Sequence, residues 1–155
     1  MSIRNFRAKP KRSLDHSFFQ VNFPESCPTD GFIYGSVLED IETGRAYIAV
    51  TILSKMNCCV NNTMLSAIEI DPNTVGRDTG RTDKHGLSLY DGDVIKVQGF
   101  SNYFAKIEYC NGEYVIVNDD IHIPRSLSAV NSNFIEKVGN VYDNPDWNKA
   151  KAWEV

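Results

Sequence analysis

No stretch of this 155-residue sequence approaches the roughly 18 consecutive apolar residues that a membrane-spanning helix requires, so a helical membrane protein is excluded. Cysteine is sparse: Cys27, Cys58, Cys59 and Cys110 form no C-x-x-C pair and no regular framework, and adjacent Cys58 and Cys59 do not readily bridge each other. The charged N-terminal residues are not followed by the apolar run of a secretory signal, because Asp15, His16 and Ser17 interrupt it. Reduced thiols in a cytoplasm are therefore the expected state. His16, His85 and His122 are too scattered to read as a metal site, and there is no Gly-Lys-Ser/Thr phosphate loop. What is present is ordinary for a globular domain. An apolar share of 42% with 23% charged residues disfavours disorder and coiled coil, and the length suits one domain with a core of its own.

Basic charge is also short. The 16 Lys and Arg residues against 20 Asp and Glu give −4, and five of the 16, Arg4, Arg7, Lys9, Lys11 and Arg12, precede the first acid, Asp15. The remainder carries 11 basic against 20 acidic residues, a balance of −9. Such a body repels a phosphate backbone over most of its surface, which disfavours general nucleic-acid coating. The basic segment itself reads as a solvated N-terminal arm, with a phosphate- or partner-gripping arm as the alternative.

Period-two alternation recurs along the chain. Phe19, Val21 and Phe23 alternate with Gln20 and Asn22, and Asp30-Gly31 then marks a turn. Residues 32–38 and 46–53 flank Glu42-Thr43-Gly44 and predict a hairpin with Ala46, Ile48, Val50 and Ile52 on one face. A strand over 64–70 stops at Asp71-Pro72, since proline cannot donate to a ladder. Residues 76–86 read as a loop. Alternation resumes over 93–98 and 103–110, and Asn111-Gly112 suits a two-residue type I′ turn into a return strand with Val115 and Val117. Residues 121–123 meet Pro124, and 134–142 supply a last strand. Asn144, Pro145 and Asp146, with Lys149 and Lys151 beyond, predict a short terminal helix in which Trp147 and Trp153 face about 120° apart, one docked and one turned outward. The expected class is all-β, a small barrel or sandwich.

Several runs then resemble a known family. Ile70-Asp71-Pro72-Asn73-Thr74-Val75-Gly76, followed by Thr79-Gly80, Asp83-Lys84-His85-Gly86 and Tyr90-Asp91-Gly92-Asp93-Val94-Ile95, is similar to the core signature of the YopX family of phage and prophage proteins. Phe6-Arg7-Ala8, Gly31-Phe32-Ile33-Tyr34-Gly35 and Val138-Gly139-Asn140-Val141-Tyr142-Asp143-Asn144-Pro145 resemble further landmarks in the same order, while residues 9–29 and 54–63 have no counterpart. The resemblance implies a phage or prophage origin and an SH3-like small barrel in the C-terminal half. On that basis residues 1–155 are expected to form one domain: a strand-rich part over 1–75, a barrel-like core over 76–143 and the terminal helix over 144–155. Asp91-Gly92-Asp93 reads as a sharp strand entry whose aspartates bind nearby amides, and Gly139 as a bulge.

Where the family has glutamine and an aromatic after Gly76, this chain has Arg77 and Asp78, and Arg81 stands where leucine is usual. Two unpaired guanidinium groups are costly to bury, so the segment is expected to project them outward. Arg77, Thr79, Gly80, Arg81 and Thr82 would then form a cradle for phosphate or carboxylate. The plainer alternative is a surface loop whose arginines pair with Asp78 and Asp83. Tyr103 and Tyr109 complete the candidate ligand-binding set, as aromatics that stack bases or receive peptides, or else fill the core or a subunit seam. No catalytic residue, cofactor or metal ligand is assigned.

The leading expectation is a non-enzymatic phage accessory protein acting in the cytoplasm of an infected bacterial cell. It would bind and sequester a host component, a host protein or a small anionic ligand such as a signalling nucleotide. One alternative is a nucleic-acid-binding module using the basic arm; another is a metal-dependent hydrolase built on Asp91, Asp93, Asp119 and Asp120. Exposed strand edges make a homo-oligomer the expected state.

Overall fold

Alternating sequences of this kind pair into sheets, and the computed structural model, which describes residues 5–12, 30–54, 62–99, 103–118 and 121–148, is mainly β. Its described residues form eleven strands and three single 3₁₀ turns. By its contacts the chain divides into two compact units, Met1–Arg77 and Asp78–Val155.

The first unit holds β1 (Phe6–Ala8), β2 (Ile33–Glu39), β3 (Ala46–Ser54), β4 (Asn62–Ile70) and the start of β5 (Gly76–Thr82), in the antiparallel order β4-β3-β2-β1-β5. The predicted hairpin of β2 and β3 is present, with Val37 opposite Ile48 and Leu38 opposite Tyr47. Ala46, Ile48 and Val50 point inward from β3 and pack with Ala8, Ile33, Ile68 and Ile70. Each fully buried isoleucine contributes about 2 kcal/mol by leaving water. The side chain of Ile52 and the predicted strand over 19–23 lie outside the described residues. Gly35 of β2 lies tight against β3: a Cβ there would come 2.7 Å from the Ala49 carbonyl oxygen.

Of the basic N-terminal segment, expected as a solvated arm, residues 6–10 are built into the sheet, whereas Lys11 and Arg12 are exposed and Arg4 lies outside the described residues. β1 is an interior strand, with Arg7 opposite Tyr34 of β2 on one side and opposite Gly76 of β5 on the other. Arg7 is 1% exposed, its guanidinium 4.2 Å from the centre of the Phe32 ring, and Lys9 Nζ lies 4.1 Å from the same ring. Pro10 then bridges Ile70, and Lys11 N donates to the Glu69 carbonyl oxygen at 3.0 Å, so the segment after β1 reaches the far strand of a sheet that curls around its core. A cation stacked on a ring and flanked by a buried phenol is tolerated where a bare one is not. Alternation of charge with Phe6 and Ala8 was the sign of a strand, outweighed in the sequence by the density of charge.

The second unit continues β5 and adds β6 (Ser88–Tyr90), β7 (Asp93–Val97), β8 (Tyr103–Cys110), β9 (Glu113–Asn118), β10 (Ile121–Ser126) and β11 (Ile135–Asn140). The last five form an antiparallel sheet in the order β10-β9-β8-β7-β11. β10 and β11 are its two ends, so among the described residues this sheet is open and not a closed barrel of the SH3-like kind. The Asn111-Gly112 turn has φ values of +50° and +87°, the type I′ signature, and sets Tyr109 opposite Tyr114. The inner face carries Leu89, Ile95, Val97, Ala105, Ile107, Ile116, Leu127, Val130 and Ile135, with Tyr103 and Tyr114 against them. Pro124 lies on the terminal strand β10, where a missing donor is tolerated, and the register of that strand shifts between Ile121 and Arg125. The expected bulge at Gly139 is seen as a register shift between Lys137 and Gly139.

Residues 76–82, read as loop from their lack of apolar side chains, are a strand. Backbone pairing alone defines β5: Arg77 lies opposite Phe6, Asp78 opposite Tyr90 and Thr82 opposite Ser88, with a register shift between the last two pairs around Gly80. At the C-terminal end, residues 145–148 form turns rather than a first helical turn. The Asn144 side chain accepts from the Asn140 N–H at 3.2 Å, behind it in the chain, instead of capping the residues ahead. Trp147 is buried, while Trp153 and the rest of the predicted helix lie outside the described residues.

Candidate functional site

The five β5 residues expected to cradle an anion are placed differently from one another. The Arg81 guanidinium turns onto the segment after β10: Nη1 donates to the Leu127 carbonyl oxygen at 3.1 Å, and Nη2 to the Val130 carbonyl oxygen at 2.6 Å and the Ser132 hydroxyl at 3.1 Å. The Gly80 N–H is taken by the Asp78 carboxylate at 2.8 Å, and the Arg81 N–H by the Thr79 hydroxyl at 3.2 Å. Thr79 in turn donates to the Leu89 carbonyl oxygen at 2.8 Å. These donors serve the fold. Arg77 and Thr82 are exposed, and Arg77 belongs to the first unit.

The turn after β5 is held by a buried carboxylate. Asp83, 3% exposed, accepts from the N–H groups of His85 at 2.8 Å, Leu87 at 3.0 Å and Lys137 of β11 at 3.0 Å. Burial pushes the acid up, but the three N–H donors outweigh it and hold its pKa below the usual carboxylate range. Alongside, Glu136 accepts from Lys84 Nζ at 2.8 Å and lies 3.8 Å from His85 Nε2. The Lys84 hydrogen bond lowers its pKa despite a smaller opposing effect of desolvation.

Tyr103 and Tyr109 share one face of β8 but sit six residues apart, roughly 20 Å along an extended strand. Tyr103 packs on the core, its hydroxyl buried without a hydrogen-bond partner among the described residues. Tyr109 is 54% exposed, and its ring lies 5.1 Å from that of Tyr114 across the hairpin, tilted by 59°. Ile116 follows two residues after Tyr114 and therefore shares its face, and Arg125 of β10 lies directly opposite Ile116. Arg125 is exposed. The end of the hairpin thus presents a partly exposed aromatic pair, with Arg125 on the same face one strand over and two residues further along, a combination suited to stacking a planar group and meeting negative charge.

Arg125 was missed in the sequence because its register passes through the irregularity at Pro124. The Tyr109–Tyr114 pairing was available by counting outward from Asn111-Gly112. Of the four aspartates considered as a metal set, Asp93 is fully buried, accepts from the Tyr90 N–H at 2.8 Å and pairs with Lys137 Nζ at 3.2 Å. Asp119 and Asp120 lie outside the described residues. Among the described residues no group of three or more His, Cys, Asp or Glu side chains is arranged to hold a metal ion, and no helix is long and apolar enough to cross a membrane.

The YopX protein family matches residues 32–147. Among solved structures, protein EF1440 from Enterococcus faecalis is 16% identical, with a TM-score of 0.51 over 96% of this chain and 100% of its own. Protein yopX from Bacillus subtilis is 15% identical, with a TM-score of 0.49 over 77% of this chain and 92% of its own. No protein of curated function matches the chain.

Proposed function

The chain belongs to the YopX protein family, and from that membership and its hairpin surface we propose a non-enzymatic phage or prophage accessory protein that binds and holds a host component without transforming it. The observation that carries this reading is Tyr109, which stays more than half exposed while its ring packs against Tyr114 at 5.1 Å. An aromatic side chain already packed on a neighbouring ring loses less entropy when a partner covers it than a free one does, which favours recognition. A small anionic ligand of the nucleotide class, met in the bacterial cytoplasm, suits an aromatic ring and a cation presented on one face, Tyr109 and Arg125. Arg81, Thr79 and Gly80 are committed to internal hydrogen bonds and drop out of the contact set. Arg77, in the other unit, is not needed by it.

The test is titration of the full chain with a panel of mono-, di- and cyclic nucleotides, by calorimetry and thermal shift. At least one nucleotide is expected to raise Tm and to be recovered chemically unchanged after denaturation. Tyr109→Ala should weaken its binding about tenfold, the usual scale for loss of one stacking partner. A panel without any thermal shift, or a ligand recovered as product, overturns the reading.

A further inference from the structure

A second surface, independent of the aromatic pair, lies at the apex joining β2 to β3. Ile41 there is 93% exposed, whereas the other exposed large apolar side chains among the described residues, Leu38, Leu87, Tyr109 and Phe134, reach only 50–54%. A β-branched apolar side chain so placed contributes nothing to the core of its own chain. Its backbone, however, is held. The Asp40 carboxylate accepts from the Glu42 N–H at 3.0 Å and the Thr43 hydroxyl at 2.6 Å, and the Gly44 N–H returns to the Asp40 carbonyl oxygen at 2.8 Å. Leu38, half exposed at the end of β2, adds a second apolar side chain to the outer face of the hairpin.

Charge selects the partner. Glu39, Asp40 and Glu42 surround Ile41, and the nearest cation in sequence, Arg45, lies 3.9 Å from the Glu69 carboxylate. An anionic membrane surface repels such an apex. So does the same acidic apex of a second copy, in a chain whose net charge is −4. We propose that the β2–β3 apex is a protein-docking element in which Ile41 enters an apolar pocket whose rim carries lysine and arginine on a partner protein. A single apolar anchor on a stiff loop, ringed by charge complementary to the pocket rim, is a common form of interface hot spot.

The experiment replaces Ile41 with the photo-reactive p-benzoylphenylalanine in the full chain, expressed in bacterial cells and irradiated there. The expected result is a cross-link to one protein, at a segment where apolar residues are bordered by lysine or arginine. Yield should fall at least about tenfold when Glu39→Lys and Glu42→Lys are added, and comparably for Leu38→Ala. Thermal melts check that each variant keeps its fold, which exposed positions allow. A cross-link to lipid, to a second copy or to nothing overturns the proposal, as does a protein cross-link insensitive to charge reversal.

Discussion

The Arg81 Nη2 atom lies 2.6 Å from the carbonyl oxygen of Val130, 49 residues further along the chain. With the bonds to Leu127 and Ser132, this makes the side chain a clasp for the connection between β10 and β11. Arg81→Ala leaves two main-chain carbonyls without their donor and is expected to lower stability by about 2–3 kcal/mol in urea unfolding. Arg77→Ala, at an exposed position, should stay within about 0.5 kcal/mol. Equal effects of the two substitutions would refute the clasp.

Asp83 ties the turn after β5 to β11, and its carboxyl titrates below the usual range. A depressed acid contributes stability that is complete above the unfolded-state value, about 3.9, and is lost as pH falls through the lower folded-state value. Unfolding measured between pH 7 and pH 2 should therefore show an acid-side loss that is smaller in Asp83→Asn, whose stability at neutral pH is already reduced. An unchanged pH profile in that variant would remove Asp83 from the account.

Among the described residues the Tyr103 hydroxyl is buried without a hydrogen-bond partner. Tyr103→Phe keeps the ring against the core and removes the unsatisfied group, so it is expected to raise stability by about 1 kcal/mol, read as an increase in the urea midpoint at constant m.

Gly35 admits no side chain. In Gly35→Ala the new Cβ would meet the Ala49 carbonyl oxygen at 2.7 Å and Ile48 Cγ2 at 2.9 Å, forcing β2 from β3. A loss of roughly 2–3 kcal/mol is expected in the same assay. A neutral result would mean that the two strands separate at almost no cost.

The hairpins were readable in the sequence because their information is local. Ala46, Ile48 and Val50 alternate on one strand, and Asn111-Gly112 needs only its own φ angles to join β8 to β9. β5 was not readable, since Gly76–Thr82 has no apolar side chain and owes its extended form to strands elsewhere in the chain. The inward turn of Arg81 was hidden for the same reason: its acceptors are carbonyl oxygens, which every residue has and no side-chain pattern announces. Arg7 shows the opposite error, a cation taken for solvated because the Phe32 ring beneath it lies 25 positions away. Of the candidate site, Tyr109 was identified from residue type and Arg125 was not, because the irregular pairing of β10 separates it from any count.

The interior position of β1 bears on how the chain is made. Phe6–Ala8 leaves the ribosome well ahead of its neighbour on one side, Gly76–Arg77, which is synthesised nearly 70 residues later. At bacterial elongation rates that delay is roughly 3–14 s, during which Arg7 has no finished sheet to enter. Until then β1 has only β2 to pair with, and a pause or truncation before Arg77 would release a polypeptide in which the β5 side of β1 is still open.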